Sequence, residues 1–126
     1  MREREVEIDG KLVRTSKIEI DSCNILTVEA GSTGHDEGDH GSQTYLRIRN
    51  ESSTYWCVKI RPCDRRRRQE IFNLPSEIEI ELIGGSEFLT FVKALDFALK
   101  TFKDADKKKN GIFNLWRKIK SFVAWG

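Results

Sequence analysis

EIEIELIGGSEFLTFVKALDFALKTF, residues 77–102, changes its period in the middle. From Glu77 to Ile83 acids and aliphatics alternate, so Ile78, Ile80 and Leu82 share one face of a strand and Glu77, Glu79 and Glu81 the other. After Gly84-Gly85 the apolar positions become Phe88, Phe91, Val92, Leu95, Leu99 and Phe102, which is helical spacing. Ser86 is the expected N-cap, and Glu87 suits the positive end of the helix dipole. A strand running straight into an amphipathic helix, with strand-like segments before it, reads as a two-layer α+β domain.

Upstream, Glu5–Asp9 alternates and Asp9-Gly10 is a two-residue hairpin turn, with Lys11–Arg14 returning. Thr15-Ser16 reads as a break before a further strand, Lys17–Asp21. Asn24–Ala30 and Gln43–Asn50 follow. Thr54–Arg61 is expected to form a hairpin with Gln43–Asn50 across Glu51-Ser52-Ser53, with Leu46, Ile48, Trp56, Val58 and Ile60 inward. Pro62 ends that run. Downstream, Lys107–Lys109 and Asn110-Gly111 stop the first helix, and a second is expected from Ile112 to about Trp125. The expected fold is an antiparallel sheet of about five to six strands followed by two C-terminal helices, one packed on the sheet. Residues 1–109 form the domain, and 110–126 an amphipathic helix that docks or oligomerises through Trp116, Ile119 and Phe122.

The chain has 126 residues and a net charge of only +2, from 22 basic and 20 acidic side chains. The overall balance does not argue for nucleic acid, so any such case rests on where the charges sit. Three cysteines without a CxxC pair fit neither a disulfide framework nor a zinc site. The charged N-terminus has no apolar secretory core, and no apolar run is long enough to span a bilayer. The expected compartment is a reducing cytoplasm.

Three groups of residues carry chemistry. The loop Gly31–Gly41, GSTGHDEGDHG, holds both histidines and three acids. His35, Asp39 and His40 are metal-ligand types, but the spacing matches no established pattern, and a solvated glycine loop is the competing reading. Its acids oppose phosphate inside the loop, leaving the rims at Thr33, Ser42 and Thr44. The outward face of the expected hairpin offers Tyr45, Arg47, Arg49, Tyr55, Lys59 and Arg61, an interleaving suited to stacking on bases and neutralising phosphates. The acidic row Glu77, Glu79, Glu81 is able to neutralise that face if it lies beside it. Arg65, Arg66, Arg67 and Arg68 form either an anion-binding patch or a solvated charge run. No nucleophile motif accompanies the histidines, and no cofactor is implied.

EAGSTGHDEGDHGSQTYLRI (29–48) followed by IELIGGSEFLTFVKALDFALKTF (80–102) resembles a group of small phage and prophage proteins of Gram-positive bacteria. Their pattern is a strand, a glycine loop of the form GTxG…GDxGHGxRTY, another strand and a GGD-type turn into a helix. Here Gln43 stands where that pattern carries Arg. The resemblance implies a mobile-element origin and a host bacterial cell. By analogy it implies a non-enzymatic binder that antagonises a bacterial defence system, either by gripping an effector protein or by sequestering a nucleotide signal. A nucleic-acid-binding accessory protein and a metal-dependent enzyme centred on the glycine loop are the alternatives. A homo-oligomer is expected.

Overall fold

The computed structural model describes residues 2–35 and 41–108. Among these residues are seven strands and one helix: β1 (Arg2–Ile8), β2 (Lys11–Ile20), β3 (Ile25–Ser32), β4 (Gln43–Ser52), β5 (Cys57–Ile60), β6 (Glu70–Asn73), β7 (Glu77–Ile83) and α1 (Gly85–Lys108). Five strands form one sheet in the order β1-β2-β3-β4-β7, and β5 and β6 form a separate two-stranded ribbon. The α+β reading holds, with a single helix among the described residues. The expected helix from Ile112 to Trp125, and with it Trp116, Ile119 and Phe122, lies outside them.

The β1–β2 hairpin turns at Asp9-Gly10, whose positive φ values of 50° and 79° are those of a type I′ turn. Its register runs from Ile8↔Lys11 to Arg2↔Lys17. β2 does not break at Thr15-Ser16. It continues to Ile20, because Thr15 pairs with Gly31 and Ser16 with Ala30 of β3, so the ladder passes through both residues. A side chain at Gly31 would run into the Arg14 carbonyl and Thr15, so glycine permits the close approach of β2 and β3 there.

The expected β4–β5 hairpin does not form. β4 runs on to Ser52, Ser53 takes a left-handed φ of 66°, and β7 takes the place beside β4. Between β4 and β7 the chain leaves the sheet and folds back on itself as the β5–β6 ribbon, in the register Cys57↔Asn73 to Ile60↔Glu70. The base of this excursion is fastened at several points. The Asn50 amide donates to the Thr54 carbonyl at 3.0 Å and accepts from its N–H at 3.2 Å. The Asn50 N–H donates to Ser76 O, and Leu74 N–H to Trp56 O. The Trp56 indole donates to Pro75 O at 2.7 Å.

Contacts divide the chain into two compact units that do not follow chain order. One holds Met1–Ser32 with Tyr45–Glu81, the other Thr33–Thr44 with the chain from Leu82. The core of the first is Ile8, Val13 and Tyr45, with Val6 packed against them. Burying side chains of this size contributes about 1.5–3 kcal/mol each. In the second, α1 begins directly after Gly84, and the Phe88 N–H closes the first turn onto Gly84 O at 3.1 Å. The helix therefore starts ahead of the expected cap at Ser86. Leu82, Phe91 and Ala94, with Ser86, Glu87 and Thr90, line an apolar groove of about 430 Å³ beside its first turns. No described helix is long and apolar enough to cross a membrane.

Candidate binding surfaces

Alternation along β4 predicts Leu46 and Ile48 inward with Tyr45 and Arg47 outward; in the structure Tyr45 is buried, and Leu46, Arg47 and Ile48 are all half-buried. Tyr45 is 1% exposed, and Glu29 and Thr15 are fully buried, while Ile18 and Ile20 on β2 are open to solvent. Polar side chains are buried here beside Ile8 and Val13 because their charges pair with one another. Glu29 receives Arg4 Nε at 2.5 Å and Arg4 Nη2 at 2.7 Å, a two-pronged fork. The Thr15 hydroxyl donates to the same carboxylate at 2.5 Å, and Arg47 Nη2 lies 3.1 Å from it. The Tyr45 hydroxyl donates to Glu79 at 2.5 Å, and Glu77 stands 4.0 Å from Arg47.

These contacts fix the protonation states. The Arg4 fork, aided by Thr15 and the Arg47 charge, outweighs burial and holds the Glu29 carboxyl down at about 2. Burial, then the Glu79 carboxylate, pushes the Tyr45 phenol up to about 12. Of the acidic row, Glu79 and Glu77 meet Tyr45 and Arg47. This face is therefore an internally neutralised core rather than a bare cationic surface. Arg49 pairs along its own strand with Glu51 at 3.0 Å, partly exposed.

The rims of the glycine loop are likewise engaged within their own unit. Thr33 N–H donates to Gln43 O, and the Thr33 hydroxyl accepts from Gln43 N–H at 3.0 Å while donating to Gly41 O at 3.4 Å. The Ser42 hydroxyl donates to Gly34 O at 2.6 Å, and Thr44 is buried. Gly34 takes a φ of 83° to make this turn. His35 is exposed; Asp39 and His40 lie outside the described residues. Among the described residues no group of three metal-ligating side chains comes together. Cys23, Cys57 and Cys63 are free and exposed.

The ribbon is the opposite case. At its tip, Arg67 N–H donates to Asp64 O, and Asp64 Oδ1 accepts from Arg66 N–H and from Arg66 Nε, a local turn that holds one arginine in place. Arg65, Arg67, Arg68, Arg61 and Lys59 have no acidic partner among the described residues and all are exposed. Below the tip, Ile60, Ile71 and Leu74 are each roughly half exposed, Phe72 somewhat less, and Tyr55 is 88% exposed. Ile60, Pro62, Arg67, Arg68 and Glu70 line a concavity of about 510 Å³.

Of the residues expected to form one ligand face, then, Tyr45 and Arg47 belong to the buried network. Lys59, Arg61 and Arg65–Arg68 belong to the ribbon. Sequence reading missed Glu29 and Thr15, the centre of the network. The one available signal was an acid standing between Val28 and Ala30. It also missed β6 and the apolar run Ile71-Phe72, which follows the arginines directly. Comparison with protein-family models, with curated proteins and with solved structures gave no match.

Proposed function

We propose that this chain is a non-enzymatic binding protein whose contact surface is the β5–β6 ribbon, and that its partner is a protein with an acidic surface. The carrying observation is the ribbon's anatomy. Exposed apolar side chains, Ile60, Ile71, Phe72 and Leu74, are bordered by unpaired cations at Lys59, Arg61, Arg65, Arg67 and Arg68. An apolar centre with a polar rim, rich in arginine and aromatic residues, is the composition of protein–protein contact sites. A surface built for phosphate alone would have no use for the aliphatic residues. The phage-type resemblance supplies a setting: a mobile-element protein that disables a bacterial defence effector by covering an acidic region of it.

Two features weigh against sequestration of a nucleotide signal on the sheet. The phenol and guanidinium meant for it, Tyr45 and Arg47, already hold Glu79 and Glu29. A nucleic-acid reading draws on the unpaired arginines alone and predicts affinity that falls steeply with salt.

The test is a defence-protection assay in bacteria carrying candidate defence systems, followed by binding to the purified effector. The wild-type chain is expected to restore phage growth and bind the effector. The variants F72S and R65Q/R66Q/R67Q/R68Q, folded as wild type, are expected to do neither. Equal protection by all three proteins would contradict the reading. Salt-sensitive retention on duplex DNA, with no effector bound, would transfer it to nucleic acid.

A further inference from the structure

We infer that the free edge of β5 accepts an extended acidic segment of the partner as a third strand of the ribbon; this rests on the ribbon being the contact surface. The register determines which backbone groups are available. Leu74 N–H bonds to Trp56 O, so that opposed pair is hydrogen-bonded. In an antiparallel ladder such pairs alternate with unbonded ones. Continuing through Cys57↔Asn73, Val58↔Phe72, Lys59↔Ile71 and Ile60↔Glu70 makes the first and third unbonded. The N–H and C=O groups of Cys57 and Lys59 therefore point away from β6, and those of Ile71 and Asn73 point away from β5. The ribbon has only two strands, so both edges are open among the described residues.

Charge selects between them. Along β5 the residues that present outward backbone groups are Cys57 and Lys59, and Arg61 continues the same side-chain face. Beyond lie the unpaired Arg65, Arg67 and Arg68. The β6 edge offers Ile71 and Asn73, beside Glu70 and with no cation on the strand. A strand laid along β5 would place every second side chain against Lys59 and Arg61, and the others against Val58 and Ile60. The fitting partner segment therefore alternates acidic and aliphatic residues, main-chain hydrogen bonds giving affinity and the alternate side chains specificity. This chain's own Glu77–Ile83 shows that such a segment is a competent strand.

The probe is a fluorescent heptapeptide, Ac-EVEVEVE-amide, with KVKVKVK as control, followed by anisotropy. Wild type is expected to bind the acidic peptide and not the basic one. K59P removes an outward N–H that the ribbon itself does not use, so it is expected to weaken binding by roughly tenfold or more. N73P does the same on the other edge, at a residue outside the apolar contact surface, and is expected to leave binding unchanged. Exchange protection of the Leu74 amide, which bonds to Trp56 O, reports whether each variant keeps the ribbon base. A second readout needs no mutation: on peptide addition the Cys57 and Lys59 amides are expected to slow in hydrogen exchange while Ile71 and Asn73 do not. No binding of the acidic peptide, or equal effects of K59P and N73P with no change at Cys57 and Lys59, would overturn the inference. Peptide binding that falls with R65Q/R66Q/R67Q/R68Q but not with K59P would overturn the edge mode and leave the ribbon as contact surface. Loss with K59P but not with the arginine variant would support the edge while removing the tip from the surface.

Discussion

Arg4 and Arg47 on the sheet and Arg65, Arg67 and Arg68 on the ribbon are the same side chain put to opposite uses. The first two converge on Glu29, which is fully buried. The last three meet no acid among the described residues, and Asp64 pairs with Arg66. Leaving a buried carboxylate unpaired is costly, so charges on the sheet face are bound to find each other. Charges at a ribbon tip stay hydrated and carry no such constraint. Arginine content therefore says nothing about function until the acids are placed, and here the placement separates a structural cluster from a contact surface.

The comparison breaks most visibly at Glu29. Glu29→Ala removes the partner that Arg4 and Arg47 share, leaves Arg47 only Glu77 at 4.0 Å, and takes the shorter of the Thr15 hydroxyl's two hydrogen bonds. Loss of about 3–5 kcal/mol of stability is expected, read by urea denaturation. A change within the error of the measurement would mean that the cluster is decorative.

Acid probes the same carboxylate without mutation. Its pKa is depressed in the folded protein, so its contribution is present above the ordinary value of 4.5 and is lost as pH falls from there towards about 2. Stability curves should show this decline in wild type, with a flatter profile in Glu29→Gln. Parallel curves for the two proteins would contradict the assignment.

Tyr45 gives a smaller effect of the opposite sign in pH. Its folded pKa is raised, so its contribution is full below about pH 10 and fades as pH rises towards about 12. Tyr45→Phe removes the bond to Glu79 while keeping the ring. A loss of about 1 kcal/mol at neutral pH is expected, together with loss of the alkaline decline. At the bottom of the scale, replacing Arg65–Arg68 with Gln should leave the melting temperature unchanged while altering binding. A large stability loss would mean that the tip is structural after all.

Much of the fold was legible because period and turn chemistry agreed. Asp9-Gly10 fixed a hairpin, and the switch at Gly84-Gly85 fixed the end of β7 and the start of α1. The faces were legible only in part: on β7 Ile78, Ile80 and Leu82 are more buried than Glu77, Glu79 and Glu81, as expected, but β2–β4 depart from the pattern. Alternation says which residues share a side, and hydrophobicity then assigns that side inward. Here Ile18 and Ile20 on the aliphatic side are exposed, while Thr15, Glu29 and Tyr45 on the polar side are buried once Glu29, Arg4 and Arg47 have met. Those partners are 25 and 18 positions from Glu29, and no local pattern records the pairing. The ribbon was misread for a related reason. β5 alternates well enough to suit any neighbour, and its partner β6 is four residues long and hidden behind an arginine run. The arginine tip itself was named in advance, but its setting, unpaired cations above exposed aliphatic residues, came only with the register.

The contrast between the two arginine sets can be read in a single experiment: timed phenylglyoxal modification of the native protein, located by mass spectrometry. Arg65, Arg67 and Arg68 are expected to react first, with Arg47 protected until the protein unfolds. Modification of Arg47 in the folded protein as fast as at the ribbon tip would contradict the division between a neutralised sheet and a free ribbon.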